Sequence, residues 1–169
     1  VAERVVRVVL HAQREKRIIA GHPWIFSNEI KEVLAENEPK AGDLGEVVTS
    51  TGQGLGLAFY NPNSLIAGRM LRIPPKDPVD AEFFRRRLAE AAAYREKAFP
   101  GETAYRLCFG ESDGLPGLVV DRYGATLVLQ VMSAGIERRL SLVAAALDEL
   151  LKPDGIFLKN DHRVRQLEG

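Results

Sequence analysis

A proline cluster near the middle of the chain constrains the fold more than any other segment. Three of the five residues from Pro74 to Pro78 are prolines. Each proline fixes its own φ angle and lacks a backbone donor, so neither a helix nor a central strand can run through the cluster. We therefore predict two domains, residues 1–73 and residues 80–169, joined by a proline-rich linker over residues 74–79.

Before the linker, short β-prone runs alternate with turn residues. The runs are Arg4–Leu10, Trp24–Ile30, Leu44–Ser50, Leu55–Tyr60 and Leu65–Ile73, and the turns are Gly42-Asp43, Gly52-Gln53-Gly54 and Asn61-Pro62-Asn63. Arg14–Ala20 is predicted to be a short helix, because Gly21 and Pro23 would end it. Five or six closely spaced strands with one helix are typical of a small β-barrel.

After the linker the apolar residues recur at a helical period. Asp80 is a predicted N-cap for a helix that Pro100-Gly101 ends, and Ile136–Leu151 is predicted to be a second helix. Strands are predicted over Tyr105–Phe109, Leu118–Asp121, Thr126–Met132 and Gly155–Asn160. These elements indicate a small α+β domain, so the chain as a whole is mixed α/β. No closing helix or strand follows the last predicted strand, and we expect this domain to be cut short.

The charge balance excludes a strong overall attraction to nucleic acid. The chain has 23 basic and 23 acidic side chains, so binding to RNA must come from a local patch. One cysteine and three histidines without metal-ligand spacing indicate no disulfide, no metal site and a reducing cytoplasm. No apolar run approaches the roughly 18 residues that a membrane span needs, and a membrane location is therefore not expected.

Basic side chains on two predicted elements of the first domain could form such a patch. They are Arg14, Lys16 and Arg17 on the short helix and Arg69 and Arg72 on the last barrel strand. If they converge on one face, they would make a groove for RNA phosphates. Scattered, solvated charges are the equally weighted alternative.

An aromatic segment follows the basic helix directly. His22, Trp24 and Phe26 lie within Gly21–Ile30, and aromatic rings in RNA-binding proteins stack on unpaired bases. The alternative is that Trp24 and Phe26 alternate into the barrel core. The usual burial of large aromatic residues favours this core placement.

Three further motifs are interpreted as structural. Gly52–Gly56 is similar to a phosphate-binding glycine loop, but a strand and not a helix follows it, which favours a hairpin turn. Gly110–Gly117 contains two carboxylates and a hydroxyl that could bind a metal or act in acid–base chemistry, yet its turn formers favour a structural loop. Cys108 lies in an apolar strand and is interpreted as a buried small hydrophobe. No catalytic, cofactor-binding or metal-binding residue is predicted.

Three longer stretches carry a family resemblance: Gly21–Ile30 (GHPWIFSNEI), Ala58–Ser64 (AFYNPNS) and Tyr105–Gly124 (YRLCFGESDGLPGLVVDRYG). Through them the chain resembles the N-terminal part of the PUA-containing large-subunit ribosomal RNA cytosine-5 methyltransferases, which depend on S-adenosylmethionine. The first two stretches resemble the PUA domain of that family, and the third resembles its central domain. The resemblance covers most of this chain but under half of the parent enzyme.

The resemblance implies RNA contact through the groove beside the first helix and the last strand of the PUA fold. This is the face on which the basic residues were placed from charge alone. The candidate RNA-binding residues are Arg14, Lys16, Arg17, His22, Asn28, Arg69 and Arg72. The Rossmann-like domain that binds S-adenosylmethionine and supplies the catalytic cysteine is expected to be absent from this chain, so the cofactor is implied only for the parent enzyme.

Three functional hypotheses follow. The leading one is an RNA-binding segment of a methyltransferase in ribosomal RNA processing, which positions RNA for a catalytic domain outside the chain. The alternative is a stand-alone PUA-type RNA-binding or assembly module without enzymatic activity. In a third, an exposed strand edge of the second domain docks onto the catalytic domain or onto a second copy, giving a homodimer.

Overall fold

The computed structural model describes residues 5–74, 77–161 and 163–168. The chain divides into two compact units: Val1–Asp77 together with Gln166–Gly169, and Pro78–Arg165. Residues 166–168 thus belong with the first unit, although the sequence suggested that everything after residue 80 lies in the second. Helices and strands occur together in the chain, which confirms the predicted mixed α/β class.

The first unit is built on one curled sheet. Its strands are β1 (Val5–Leu10), β2 (Trp24–Ile25), β3 (Ile30–Leu34), β4 (Asp43–Val48), β5 (Gly54–Tyr60) and β6 (Gly68–Met70), and helix α1 (Glu15–Ile19) follows β1. The strand order is β2-β6-β5-β4-β1-β3. In the part of the chain that the structure describes, β2 and β3 remain the two edges, so the predicted barrel is a half-barrel.

The segment predicted as one strand from Trp24 to Ile30 changes direction in the middle. Only Trp24–Ile25 is a strand there; a 3-10 turn over Ser27–Glu29 follows, and β3, which was not predicted, then begins. The Glu29 carboxylate accepts a hydrogen bond from the Phe26 backbone N–H at 2.9 Å, which stabilises the turn. This turn separates the rings of the aromatic segment from the edge strand that follows.

The core of the first unit explains how the aromatic segment is oriented. Ile25 packs with Leu10, Val47, Ala58 and Met70 in one buried cluster. Because successive side chains of a strand point to opposite faces, burial of Ile25 directs the side chains of its neighbours away from this cluster.

Within the predicted strand Leu65–Ile73, regular strand structure is limited to Gly68–Met70. Beyond it, Arg72 has a φ of +55°, which is left-handed backbone and cannot continue a strand. The shorter strand β6 pairs with β2 so that Arg69 lies opposite Trp24.

The second unit has a sheet with the strand order β10-β9-β8-β7. Its elements are α2 (Ala81–Ala98), β7 (Ala104–Phe109), β8 (Leu118–Tyr123), β9 (Thr126–Val131), α3 (Ala134–Glu137), α4 (Leu140–Leu151) and β10 (Gly155–Leu158). Strands β7, β8 and β9 are antiparallel neighbours, and β10 pairs with β9 in parallel. The four predicted strands are confirmed to within two residues at each end.

Helix boundaries in the second unit follow from capping. Asp80 Oδ1 accepts a hydrogen bond from the Phe83 N–H at 3.0 Å, so the predicted N-cap is confirmed. The predicted helix Ile136–Leu151 is wrong as a single element, because it is divided between α3 and α4. Arg139 adopts a non-helical backbone at the division, and its buried guanidinium donates to the Gly135 carbonyl at 2.8 Å.

Among the described residues, no helix combines the length and the apolar character that a membrane crossing requires.

Candidate nucleic-acid interface

Arg17 lies at the centre of a cluster of charged and aromatic side chains in the first unit. Its Nη1 donates to Glu29 Oε1 at 2.7 Å and its Nη2 lies 2.8 Å from His22 Nε2. The guanidinium carbon also lies 5.2 Å from the centre of the Phe26 ring, within the range of a cation–π contact. These contacts hold the Arg17 side chain in one place at the surface, where 41 % of it is exposed.

The tautomer of His22 follows from its partners. A guanidinium can only donate, so His22 Nε2 accepts from Arg17 and the ring hydrogen lies on Nδ1. His22 Nδ1 is 3.1 Å from the Trp24 carbonyl oxygen, to which it then donates, so the Trp24 N–H, 3.2 Å from the same nitrogen, cannot bond to it. His22 therefore links the position of Arg17 to the backbone of β2.

Glu29 was not among the predicted site residues, yet it organises the cluster. Its carboxylate is buried and accepts from both the Arg17 side chain and the Phe26 N–H. A sequence signal did exist, since a Glu three residues after the start of a turn is a known capping position. Glu29 compensates the charge of Arg17 and fixes the position of its guanidinium.

The favoured core placement of Trp24 and Phe26 is wrong. Both rings are only half-buried, whereas Ile25 between them is fully buried. The two rings thus keep part of their surface available for contact with another molecule, as the alternative interpretation required.

Arg69 is placed differently from the other predicted cations. It lies 5.9 Å from the Trp24 ring centre and is only 8 % exposed. Its Nη2 donates to Glu168 Oε1 at 2.9 Å. Because 99 residues separate these two side chains in the chain, no local sequence pattern could have revealed Glu168.

The remaining predicted residues are exposed. Arg14 and Lys16 lie at the start of α1 and within it, and Asn28 lies on the 3-10 turn. The Arg72 guanidinium donates to the Gly21 carbonyl at 3.2 Å, which places it beside the end of α1. The structure thus brings Arg17, His22 and Arg72 to the short segment that links α1 to β2, with Arg69 below Trp24.

The acidic loop of the second unit has a structural role. Asp113 forms a bidentate ion pair with Arg95 of α2, at 2.6 and 2.7 Å, and also accepts from the Phe109 N–H. Both partners of this pair are about nine-tenths buried. The loop Gly110–Gly117 is thereby anchored to the helix, as the structural interpretation of its turn residues predicted.

Two other motifs take the structural places that the sequence predicted for them. The glycine-rich segment at Gly52 joins the antiparallel strands β4 and β5, which confirms the hairpin and does not fit a nucleotide cofactor such as S-adenosylmethionine. Burial, followed by the negative charge of Asp113, raises the pKa of the Cys108 thiol to about 12, so it carries no thiolate at neutral pH. In the described part of the chain, no three potential metal ligands of the His, Cys, Asp or Glu type come together.

The half-barrel and its basic, aromatic segment correspond to a known class of domain. Residues 8–72 match the family of PUA-like domains, and the chain therefore contains a PUA-like domain. The similarity to known proteins extends beyond this domain. Almost the whole chain is homologous to the N-terminal part of the protein named ribosomal RNA large subunit methyltransferase I. It is 39 % identical over 166 residues to this protein from Escherichia coli strain SMS-3-5 and 38 % identical to the one from Shigella boydii serotype 18. The alignments cover 97 % of this chain and 41 % of each relative, so the chain spans about two fifths of their length.

Solved structures show the same fold. A Streptococcus mutans protein provisionally assigned as a SAM-dependent methyltransferase superposes with a TM-score of 0.77 at 17 % identity, over 91 % of this chain and 40 % of the other. A second structure, of a provisionally assigned methyltransferase complexed with SAH, gives a TM-score of 0.76 at 18 % identity. At these identities the similarity demonstrates the fold alone.

Proposed function

We propose that this chain is the RNA-binding part of a cytoplasmic, S-adenosylmethionine-dependent enzyme that methylates C5 of a cytosine in large-subunit ribosomal RNA. The observation that carries the proposal is the homology to ribosomal RNA large subunit methyltransferase I over 97 % of the chain. The choice of cytosine C5 comes from the family resemblance of the three sequence stretches. Methyl transfer and cofactor binding are assigned to parts of the enzyme other than this chain, because the glycine turn and Cys108 are unsuited to either task.

The proposed interface combines exposed cations with partly buried rings. Arg14, Lys16 and Arg72 would contact phosphates, since their side chains are exposed. Trp24 and Phe26 would stack on unpaired bases, which is how aromatic residues commonly bind single-stranded RNA. A local patch of this kind is compatible with a net charge of zero, because phosphate contacts act over short distances in salt.

The other predicted residues have supporting roles in this proposal. Arg17, held by Glu29 and His22, would present one fixed cation beside the Phe26 ring. Asn28 would offer its amide to a base edge from the exposed 3-10 turn. Arg69 is held by Glu168 and would contact RNA only if this ion pair opens.

RNA binding by the chain and its dependence on salt test the proposal. The logarithm of the affinity should fall linearly with the logarithm of the salt concentration. Replacing Arg14 and Lys16 with Ala should weaken binding to all RNA sequences alike, and reduce the salt slope by about one for each phosphate contact removed. Fluorescence anisotropy with a labelled RNA hairpin that carries a single-stranded loop measures both quantities.

The matched control is Arg86→Ala, an exposed cation on α2 of the second unit. If Arg14 and Lys16 matter only through total charge, the control will change the affinity as much per charge as the test variants do. Undetectable binding of the unmodified chain at low salt would contradict the proposal altogether.

The target atom needs a separate assay. The enzyme that contains this chain should transfer a labelled methyl group from S-adenosylmethionine to large-subunit ribosomal RNA. Mass spectrometry of the digested nucleosides should identify the product as 5-methylcytidine. A label that appears on another nucleoside would refute the cytosine-5 assignment while leaving RNA binding in place.

A further inference from the structure

A buried polar pocket in the first unit holds the side chain of Glu168. Arg69 Nη2 and Ser64 Oγ donate to Glu168 Oε1 at 2.9 and 3.3 Å. Asn61 Nδ2 donates to Oε2 at 3.3 Å and to the Glu168 backbone carbonyl at 2.8 Å. All four residues are at least nine-tenths buried. Three donors from the sheet and its loop thus converge on one carboxylate.

The donors are arranged independently of Glu168. Asn61 Oδ1 accepts from the Asn63 N–H at 2.9 Å, and this fixes the amide so that Nδ2 faces the pocket. Arg69 is held on β6 by pairing with both β5 and β2. Glu168 comes from the 3-10 helix Arg163–Glu168, outside the sheet. Its withdrawal from the pocket therefore does not break the strand pairing that holds Arg69.

The donor set suits a phosphate group. A guanidinium, a hydroxyl and a primary amide are common partners of phosphate oxygens in protein–nucleic acid complexes. A carboxylate resembles a phosphodiester here, because both present two oxygens that share a negative charge. Trp24 lies beside the pocket, opposite Arg69 on the neighbouring strand. A phosphate bound there would place the attached nucleotide next to the partly buried Trp24 ring.

We propose that Asn61, Ser64 and Arg69 form a phosphate-binding pocket that Glu168 occupies as an internal substitute for the phosphate of RNA. This inference rests on the proposed RNA-binding function, because RNA is the source of the phosphate. Exchange of one anion for the other keeps the buried donors satisfied, whereas simple withdrawal of Glu168 would remove the carboxylate to which Asn61, Ser64 and Arg69 donate. The pocket therefore opens only when a phosphate is present to replace the Glu168 carboxylate.

The chain provides its own reporter for a test, since Trp24 is its only tryptophan. In Glu168→Gln, titration with inorganic phosphate should change the Trp24 emission and reach saturation at a concentration on the order of tenfold lower than in the unmodified chain. Binding of a pentauridylate should strengthen by roughly fivefold, and its salt slope should steepen by about 0.7, the value for one phosphate of a single strand. A purely structural ion pair would not change the salt slope.

Two further variants serve as controls. Glu82→Gln makes the same change in net charge at an ion pair within α2 of the second unit, with Arg85 at 2.6 Å, and should leave the Trp24 response unchanged. Adding Arg69→Met to Glu168→Gln should abolish both the stronger binding of pentauridylate and the steeper salt slope. If Glu168→Gln fails to fold, as judged by circular dichroism, Glu168→Asp shortens the side chain with its charge retained and should give a smaller gain in the same direction.

The outcomes separate this inference from the proposed function. Equal affinity and slope in the unmodified chain and Glu168→Gln, with binding that still depends on Arg14 and Lys16, would overturn the pocket and leave the RNA-binding proposal standing. Phosphate saturation without any gain for pentauridylate would overturn RNA as the source of the phosphate. Loss of all RNA binding in every variant, the unmodified chain included, would reject the proposed function.

Discussion

At the residue scale, carboxylates decide which cations of the first unit are available. Arg17 and Arg69 both have a buried glutamate as partner, Glu29 and Glu168 respectively. The Arg17 side chain is 41 % exposed in its pair, whereas that of Arg69 is 9 % exposed. Arg17 and Arg69 carry the same guanidinium group but differ in what they can do. Only the guanidinium of Arg17 is exposed enough to reach a ligand without breaking its ion pair.

The Phe26 ring should contribute stacking to RNA binding. Phe26→Ala is expected to weaken binding to single-stranded RNA by about 1–3 kcal/mol, the typical loss for one stacked base. Phe26→Tyr keeps the ring, and its affinity should stay close to that of the unmodified chain. Isothermal titration with an oligouridylate measures the difference. Equal losses in both variants would show that the ring does not stack.

Cys108 should make the stability of the second unit depend on alkaline pH. Burial raises the pKa of its thiol from 9.0 to about 12 in the folded chain. The unfolded chain therefore loses this proton first as the pH rises. The contribution of the thiol to stability is fully present below pH 9.0 and is lost as the pH rises towards about 12.

Urea denaturation at pH 8 and at pH 10.5 should detect this effect. Cys108→Ala lacks the thiol, so its free energy of unfolding should fall less between these two pH values than that of the unmodified chain. Other alkaline groups titrate in both proteins and cancel in the comparison. Identical decreases would mean that the thiol stays protonated to the same extent in the folded and unfolded states.

At the element scale, ion pairs that bridge separate elements matter more than those on a strand surface. The Arg95–Asp113 pair joins α2 to the loop Gly110–Gly117 and is about nine-tenths buried. The Arg106–Asp121 pair spans two neighbouring strands, and the Arg106 side chain is 45 % exposed. Water screens the second pair and not the first, so the two should differ in energy.

Matched substitutions can measure this difference. Asp113→Asn should destabilise the second unit by roughly 3–5 kcal/mol, because it leaves the buried guanidinium of Arg95 without a counter-charge. Asp121→Asn should cost less than about 1 kcal/mol. Thermal unfolding followed by circular dichroism gives both values. A small effect at Asp113 would indicate that the loop is held by its turns alone.

At the scale of the whole molecule, each unit has a core of its own. Leu10 is completely buried in the first unit, and Leu129 is completely buried in the second. Two intrinsic probes follow the units separately, since Trp24 lies in the first and the buried thiol of Cys108 lies in the second.

Core truncation in one unit should affect its own probe more strongly. Leu10→Ala is expected to cost about 2–5 kcal/mol, as is usual for a buried leucine, in the unfolding transition reported by Trp24 fluorescence. Leu129→Ala should lower the protection of Cys108 from a thiol reagent by a similar amount. Equal shifts of both probes in both variants would instead show that the units unfold as one.

Local chemistry made several features of this protein predictable from sequence. The N-cap at Asp80, the hairpin at Gly52 and the alternating strands of the second unit all depend on residues a few positions apart. Capping, turn formation and side-chain alternation act over that range, so their patterns are visible in the sequence itself. The mixed α/β class follows from the sum of such elements.

The sequence by itself thus determined the fold class, the strands of the second unit and the resemblance to a methyltransferase. Only the tertiary structure decided that the sheet is open, that α3 and α4 are separate and that Arg69 is buried against Glu168. The apolar periodicity continues across the break at Arg139, which hides it from pattern analysis. The partner of Arg69 lies 99 residues away, and contacts between distant residues are set by packing of the folded chain and leave no local pattern.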